Sequence, residues 1–396
     1  MNKALKRLLI LPALLVAGFT LDATAKDYLL AVTRPNKLYL IDAAARKVEK
    51  VFDIPGDGIP ATVAVPADGK VAYILTNRWE SISGINLQTG QEVFRADMST
   101  SGDGQEKKAA QPGQKGKAAD DDEEEDDAAA AGDEEVRVKS MFAMNVSRDG
   151  KELYVHQIPV RLKLDEYQVQ DTQIAVYDTA AGRNAQPKRV FPAPRRIAIL
   201  LPGQDRKRLY ALGWDLYAIN AETGAIDKTW GVLNWQRPNY GEPDVLDFWL
   251  MYEQANVFST PYFVPRTDVP PTDPAAMKTG LLTFDLKNEN FQMRDFENTS
   301  VVIFSSVINP VRPSEAFGVY TQLTKVDLDK QAVVSRVDLD HTYYAVNISS
   351  DGKEVYVGGA MNDIGVYDAA TLKRIGEIKL PGGADQSVAG IRVVQR

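Results

Sequence analysis

The sequence predicts an all-β protein, a seven-bladed β-propeller built from four-stranded blades. Three observations support this prediction. A phrase containing Asp-Gly occurs three times, and short apolar runs end in Asp or Asn at seven places. Four of the six spacings between those places are 41 to 44 residues. A repeat of roughly 40–45 residues is typical of propeller blades, whereas a β-sandwich would not repeat at this period.

The Asp-Gly phrase predicts a tight hairpin. It reads ADGKVAYILT at 67–76, RDGKELYVHQ at 148–157 and SDGKEVYVGG at 350–359, and each copy lies between two apolar runs. Asp-Gly supplies the positive φ that such a turn requires. A degraded copy at 203–207 precedes the apolar run 209–212. Solenoid helices are excluded because the apolar runs have strand length and turns are frequent.

The second signal is an apolar strand that ends in Asp or Asn, whose side chain can bond nearby backbone amides in a turn. Two spacings, 92 and 65 residues, are longer than one unit. We expect the first to contain the acidic tract as an insertion and the second the proline-rich stretch 261–274. The seven strand ends are Ile41-Asp42, Ile85-Asn86, Tyr177-Asp178, Ile219-Asn220, Phe284-Asp285, Val326-Asp327 and Tyr367-Asp368.

The two ends of the chain are predicted to share the first blade. Tyr28 to Gly56 contains strands before and after Asn36, but no Asp-Gly hairpin precedes them. Ser387 to Val394 is a lone strand without a unit of its own. We expect this strand to pair into the first blade and close the ring, because closure removes sheet edges that would invite aggregation.

The chain is predicted to consist of a signal peptide, residues 1–25, and one propeller domain, residues 26–396. Three basic residues precede an apolar run of thirteen residues, and Ala23-Thr24-Ala25 matches a cleavage site; an uncleaved anchor is the less favoured alternative. Residues 99–135 are predicted to be a disordered acidic insertion within the propeller, because thirteen Asp or Glu lie between 101 and 135. A loosely bound cation or a basic partner is the alternative there.

The composition excludes several kinds of site. The chain has no cysteine, so it can hold neither a covalent c-type haem nor a cysteine-derived cofactor. Outside the acidic tract it is nearly neutral and has no basic run, which disfavours nucleic acid. His156 and His341 lie far apart, and we expect a structural, hydrogen-bonded role for each. We predict no catalytic, cofactor-binding or metal-binding residue in this chain.

Aromatic residues concentrate between Trp214 and Phe263, a stretch with four of the five tryptophans. Prolines at 238, 243 and 261 interrupt the blade pattern there and favour loops at the mouth of the ring, where binding residues usually lie. Either these rings fill the wedge between two blades, or they form a docking surface or pocket wall. The candidates for such an interface or pocket are Trp214, Trp235, Tyr240, Trp249, Tyr252 and Tyr262.

Two stretches carry a family resemblance. Tyr73-Ile74-Leu75-Thr76-Asn77 and DGKEVYV at 351–357 resemble the repeats of YVTN-type seven-bladed propellers. The opening KDYLLAVTRPNKLYLIDAAARKVEKVFDIPGD at 26–57, together with the aromatic stretch, resembles the β subunit of quinohemoprotein amine dehydrogenase. The acidic insertion departs from that family.

The resemblance implies a noncatalytic, structural subunit of a periplasmic oxidoreductase. In that family an αβγ heterotrimer oxidises primary amines to aldehydes and ammonia. The α subunit is a dihaem cytochrome c, and the small γ subunit carries cysteine tryptophylquinone. The β subunit has no cofactor and helps to enclose the γ subunit and its substrate pocket. Two other functions fit the sequence: a stand-alone exported propeller that binds a protein or ligand, and a hydrolase or lactonase that uses carboxylates and a metal in the central channel.

Overall fold

The computed structural model describes residues 25–99, 135–386 and 390–396. The predicted signal peptide and acidic insertion lie outside these residues, apart from their end positions Ala25, Ser99 and Glu135. Within the described ranges the chain forms thirty strands and two short 3₁₀ turns, Asn77–Trp79 and Gly182–Asn184. No helix in these ranges is long and apolar enough to cross a membrane.

The strands follow the chain blade by blade. Blades 1 and 2 contain β1 Asp27–Thr33, β2 Lys37–Asp42, β3 Lys47–Asp53, β4 Ala61–Ala64, β5 Val71–Thr76, β6 Ser81–Asn86 and β7 Glu92–Asp97. Blade 3 contains β8 Val136–Lys139, β9 Met144–Val146, β10 Glu152–Leu162, β11 Tyr167–Val169, β12 Gln173–Asp178 and β13 Pro187–Pro192.

The later blades have four strands each. Blades 4 and 5 contain β14 Ile199–Pro202, β15 Arg208–Leu212, β16 Leu216–Asn220, β17 Ile226–Trp230, β18 Asp244–Val245, β19 Val257–Pro265, β20 Met277–Asp285 and β21 Asn290–Asn298. Blades 6 and 7 contain β22 Ser305–Ile308, β23 Glu315–Val319, β24 Gln322–Asp327, β25 Ala332–Asp338, β26 Tyr343–Ile348, β27 Glu354–Gly359, β28 Asp363–Asp368 and β29 Arg374–Lys379. The last strand is β30 Ile391–Gln395.

Seven antiparallel sheets confirm the predicted propeller of four-stranded blades. In blades 2 and 4 to 7 the strands pair in chain order, from the inner strand near the axis to the outer strand. The inner and middle strands are almost wholly buried, as in β22 and β5, whereas outer strands such as β3 and β17 are largely exposed. The core therefore lies between neighbouring blades and around the axis.

The last strand closes the ring, as the sequence predicts. Blade 1 has the order β3-β2-β1-β30, so its inner strand comes from the C-terminus. The pairing runs from Asp27 opposite Gln395 to Ala31 opposite Ile391. Just beyond it, Lys26 and Arg396 exchange two backbone hydrogen bonds of 2.9 and 3.0 Å.

All seven predicted strand ends lie at the turn between the third and fourth strands of a blade. In each blade the Asp or Asn side chain accepts a hydrogen bond from a backbone amide two or three residues later. The Asp-Gly phrases form the turn between the first and second strands, and the glycines at 69, 150 and 352 have positive φ. Both kinds of turn lie at one end of the ring, which we call the turn face. The second-to-third turns and the connections between blades form the opposite loop face.

Blade 3 carries an extension that the sequence did not predict. The second strand of the blade, β10, has eleven residues, and residues 158–162 continue beyond the blade on the loop face. There β10 pairs with β8 on one side and with β11 on the other. The long spacing of 92 residues therefore contains this extension in addition to the acidic tract.

Candidate functional site

Residues 248–256 cross the central channel of the ring, and we call them the channel plug. The inner strand of blade 5 is short, and its last bond runs from the Leu246 amide to the Pro261 carbonyl, 3.2 Å. The chain then leaves the blade and returns at Val257. Pro261, which was expected to interrupt the blade pattern, lies inside β19.

The plug is bonded to the closing strand of blade 1. The guanidinium of Arg392 donates to the Leu250 carbonyl and forms an ion pair with Glu253. The Gln254 amide donates to the Val393 carbonyl at 2.9 Å. Arg392 is only 3 % exposed, so water cannot solvate its guanidinium, and the oxygens of Leu250 and Glu253 stabilise its positive charge instead.

The other side of the plug contacts blade 3. The Asn145 side chain on the inner strand β9 donates to the Tyr252 hydroxyl at 3.3 Å. Arg148, in the Asp-Gly turn of the same blade, donates to the Asn256 side chain. Contacts with blades on different sides of the ring place the plug at the axis, running from the loop face to the turn face.

Seven rings form an aromatic patch at the loop-face mouth of the channel. Phe248 is at its centre: it is 46 % exposed, and its ring centroid lies 5.8 Å from Phe142 and 5.7 Å from Trp249. Trp249 in turn contacts rings of blades 6 and 7 and is buried by them. The patch consists of Trp79, Phe142, Phe248, Trp249, Phe304, Tyr320 and Tyr344.

Two rings of the patch are held by strained backbone. Trp79 has φ +68° and Phe142 has φ +73°, a region that bulky residues rarely adopt. Their ring centroids are 5.0 Å apart. The Thr62 hydroxyl donates to the Phe142 carbonyl at 2.7 Å, and the Trp79 indole donates to the Ile59 carbonyl at 3.0 Å. Each such residue costs about 1–3 kcal/mol, and this kind of strain is typical of functional sites.

A small cavity of about 30 Å³ lies between the loops of blades 4 and 5. Asp247, the residue before the plug, lines it and is only 4 % exposed. Burial raises the pKa of Asp247 to about 6; the charge of Arg196 opposes this rise, and that of Asp244 adds to it. Trp214, 49 % exposed, forms part of the rim.

The six candidate residues occupy three environments. Trp249 and Tyr252 are buried in the plug, and Trp214 lies at the Asp247 cavity. Trp235, Tyr240 and Tyr262 form one cluster, in which Tyr262 is buried and the other two are half-buried. Their role as a partner interface stays a prediction.

The Trp235 cluster is organised by one carboxylate. Asp295 accepts two hydrogen bonds from Arg237, of 2.8 and 2.7 Å. It also accepts from the hydroxyls of Tyr240 at 2.9 Å and Tyr262 at 2.6 Å. Burial raises the pKa of Asp295, but these four bonds outweigh it and hold the pKa below its ordinary value. The carboxylate is thus fully engaged within the fold.

Both histidines are hydrogen-bonded, in agreement with the role expected for them. His156 is fully buried with Nε2 at 3.2 Å from the Pro194 carbonyl, and burial lowers its pKa to about 4. His341 lies 3.0 Å from an Asp363 oxygen and 3.0 Å from the Thr342 carbonyl. Among the residues that the structure describes, no three His, Asp or Glu side chains are grouped as for a metal ion.

Several residues of this region were not recognised from the sequence. Phe142, Phe304 and Tyr344 lie in separate units, and nothing local marks them as neighbours. Two asparagines on inner strands could have been recognised from a repeated sequence pattern. Asn145 and Asn347 each precede the Asp-Gly turn in the pattern N-x-S-x-D-G.

Comparisons with known proteins agree on the fold. No protein-family model matches the chain, and no curated protein matches it. The structure is similar to hydrazine synthase from Kuenenia stuttgartiensis, at 13% identity over 87% of this chain and 90% of that one, with a TM-score of 0.51. It is also similar to a functionally unknown protein from Desulfotomaculum acetoxidans DSM 771, at 10% identity over 93% and 98%, with a TM-score of 0.53. The chain is a seven-bladed β-propeller. At these identities the likeness extends to the fold alone.

Proposed function

We propose that this chain is the noncatalytic β subunit of a periplasmic quinohemoprotein amine dehydrogenase. Its role is to enclose the quinone-bearing γ subunit and its substrate pocket, beside a dihaem cytochrome c α subunit. The complex oxidises primary amines to aldehydes and ammonia. The haems and the cysteine tryptophylquinone belong to the partner subunits, because this chain has no cysteine to attach either group.

The observation that carries the proposal is the partly exposed aromatic patch. Large aromatic rings dominate the energetics of protein interfaces when they are clustered at the centre of a contact. Phe248 is exposed in the middle of the loop face, with half-buried rings from blades 2, 6 and 7 around it. The plug beneath is tied to blades 1 and 3, so the surface is supported from below. A rigid apolar surface of this kind suits a wall that holds a small partner and excludes water.

The test is affinity purification of the full chain from the periplasm of its source organism, followed by haem and quinone staining. We expect a haem-staining cytochrome and a small quinone-staining polypeptide to be recovered with it. Phe248→Asp should reduce the recovery of the quinone-staining polypeptide at least tenfold, because a charge at the centre of an apolar contact is desolvated without a partner. Val334→Asp, at an exposed position of outer strand β25, is the matched control and should leave recovery unchanged.

Recovery of the chain alone, without haem or quinone, would overturn the proposal. It would favour the alternative of a stand-alone exported propeller, which binds a protein or ligand through the same patch. Equal recovery with Phe248→Asp and with Val334→Asp would remove the patch from the proposed interface.

A further inference from the structure

We infer that the Asp247 cavity binds the ammonium group of a protonated primary amine, with the apolar part of the amine lying on Trp214. The identification of that amine as a substrate rests on the proposed function. The binding itself is a property of this chain, and it is measured on the chain alone.

The charge of the site calls for a cation. Asp247 is more than nine-tenths buried, and within the described ranges its carboxylate has no ion pair or hydrogen bond to another side chain. Its own backbone amide and the charge of Arg196, which also lines the cavity but forms no ion pair with Asp247, favour the ionised form. The two carboxylates of the lining, Asp244 and Asp247, outnumber that one guanidinium. A buried carboxylate is stabilised by a cation that brings hydrogen-bond donors with it.

The size of the cavity selects a small cationic group. A volume of about 30 Å³ holds one group of the size of a water molecule. An ammonium group has this size and offers three N–H donors. Calcium would need six to eight oxygen ligands, whereas the second carboxylate at the cavity, Asp244, is exposed at the rim. An anion would be repelled by Asp247.

The rim suits an apolar chain attached to that ammonium. Trp214 is the exposed ring of the cavity lining, and Val232 and Leu233 line the cavity wall. Aromatic faces attract a cation within about 6 Å of the ring centroid. Ligand sites typically combine such apolar walls with a few placed polar groups.

The wall of the cavity is held in place without a ligand. The Asp215 carboxylate accepts from the Val232 amide at 2.8 Å and from the Asn234 side chain at 2.8 Å. The Trp214 carbonyl accepts from the Leu233 amide at 2.8 Å. A Cβ on Gly213 would lie 1.8 Å from the Arg196 carbonyl oxygen, so these two loops touch through backbone. A wall that is already ordered reduces the entropy cost of binding.

The test is isothermal titration of the purified chain with benzylamine hydrochloride, and with benzyl alcohol as the uncharged analogue. At pH 7.5 we expect millimolar binding of benzylamine and none of benzyl alcohol.

Asp247→Asn should weaken binding at least ~10-fold, because the neutral amide loses the charge-assisted hydrogen bonds. The matched control Asp165→Asn, at an exposed position in the turn between β10 and β11 and outside the cavity, should change affinity less than ~3-fold. Affinity for benzylamine should also fall between pH 7.5 and 5 as Asp247 takes up a proton, since burial raises its pKa to about 6 against the opposing charge of Arg196.

No binding of benzylamine at up to tens of millimolar, equal binding of benzyl alcohol, or equal affinity in Asp247→Asn would each overturn the inference. The two proposals can fail separately. If Asp247→Asn still recovers the haem and quinone subunits but no longer binds benzylamine, both stand. If the wild-type chain is recovered alone yet binds benzylamine through Asp247, only the proposed function is lost.

Discussion

The buried carboxylates of Glu152 and Asp247 differ in the number of hydrogen-bond donors around them. Glu152 is surrounded by donors that stabilise its negative charge. Arg189 donates to both its oxygens, at 3.1 and 2.8 Å, and Lys188 and Tyr154 donate as well. Burial raises the pKa of Glu152, but these donors outweigh it and lower the pKa to about 2. Asp247 lacks such donors, so burial prevails there and its pKa is raised.

The low pKa of Glu152 predicts a pH-dependent contribution to stability. A carboxyl group with a lowered pKa stabilises the fold above its unfolded value near 4.5, and this stabilisation is lost as pH falls towards 2. We expect Glu152→Gln to reduce the free energy of unfolding by about 1–3 kcal/mol at pH 7. The deficit should shrink between pH 4.5 and 2. Urea unfolding at pH 7, 4 and 3 measures it, with the exposed Glu222→Gln as control; a deficit that stays constant with pH would contradict the assignment.

The inner-strand asparagines link one blade to the next. Asn347 donates to the Ile391 carbonyl of blade 1 at 2.8 Å, and Asn145 donates to the Leu200 carbonyl of blade 4 at 2.9 Å. Both side chains are buried. Removal of such a donor leaves a buried carbonyl without its bond, which costs about 1–3 kcal/mol.

Asn347→Ala should therefore lower the free energy of unfolding by about 1–3 kcal/mol in urea unfolding. Asn288→Ala is the matched control, because its amide donates to Asp285 in an exposed turn at 2.7 Å. That change should cost less than ~0.5 kcal/mol. Similar values for the two variants would show that the link between blades adds nothing to stability.

At the scale of elements, the features that could be predicted from the sequence are the turns, because they form through contacts between residues close together in the chain. Each third-to-fourth turn is marked by its own Asp or Asn, which bonds amides only two or three residues away. The pattern therefore appears in any single unit. The plug has no such pattern, because its contact between Arg392 and Leu250 joins residues 142 positions apart. Its aromatic residues were recognised as unusual, but their position in the channel depends on blades distant in sequence.

The plug should contribute strongly to stability through Trp249. This ring is 92% shielded by neighbours that include Phe304 and Tyr344, whose centroids lie 5.6 and 6.2 Å away. Trp249→Ala should lower the free energy of unfolding by about 3–5 kcal/mol, because it leaves a cavity at the axis. Trp214→Ala makes the same chemical change at a half-exposed ring and should cost less than ~1 kcal/mol. Urea unfolding of both variants measures the difference, and equal losses would mean that the plug is not packed as described.

At the scale of the whole molecule, stability depends on ring closure by one short strand. The five residue pairs between β1 and β30 are the sheet contact that joins the N-terminal and C-terminal ends. Opening this contact would expose two unpaired strand edges. A covalent link across it should therefore stabilise the ring as a whole.

A disulfide at the closure tests this claim cleanly, because the natural chain has no cysteine. Asp27 and Gln395 lie opposite each other at the edge of the pair, and Gln395 is exposed. The double variant Asp27→Cys and Gln395→Cys, once oxidised, links nearly the whole described chain into one loop.

This disulfide-closed loop should raise the free energy of unfolding by at least about 2 kcal/mol relative to the same variant reduced with dithiothreitol. Replacing Asp27 also removes the hydrogen bond of 2.7 Å that its carboxylate accepts from the Ser350 amide. The oxidised and reduced forms both lack this bond, so their comparison isolates the effect of the disulfide. If the oxidised and reduced forms unfold at the same urea concentration, ring closure does not limit unfolding; if no disulfide forms, β30 does not pair with β1 in this register.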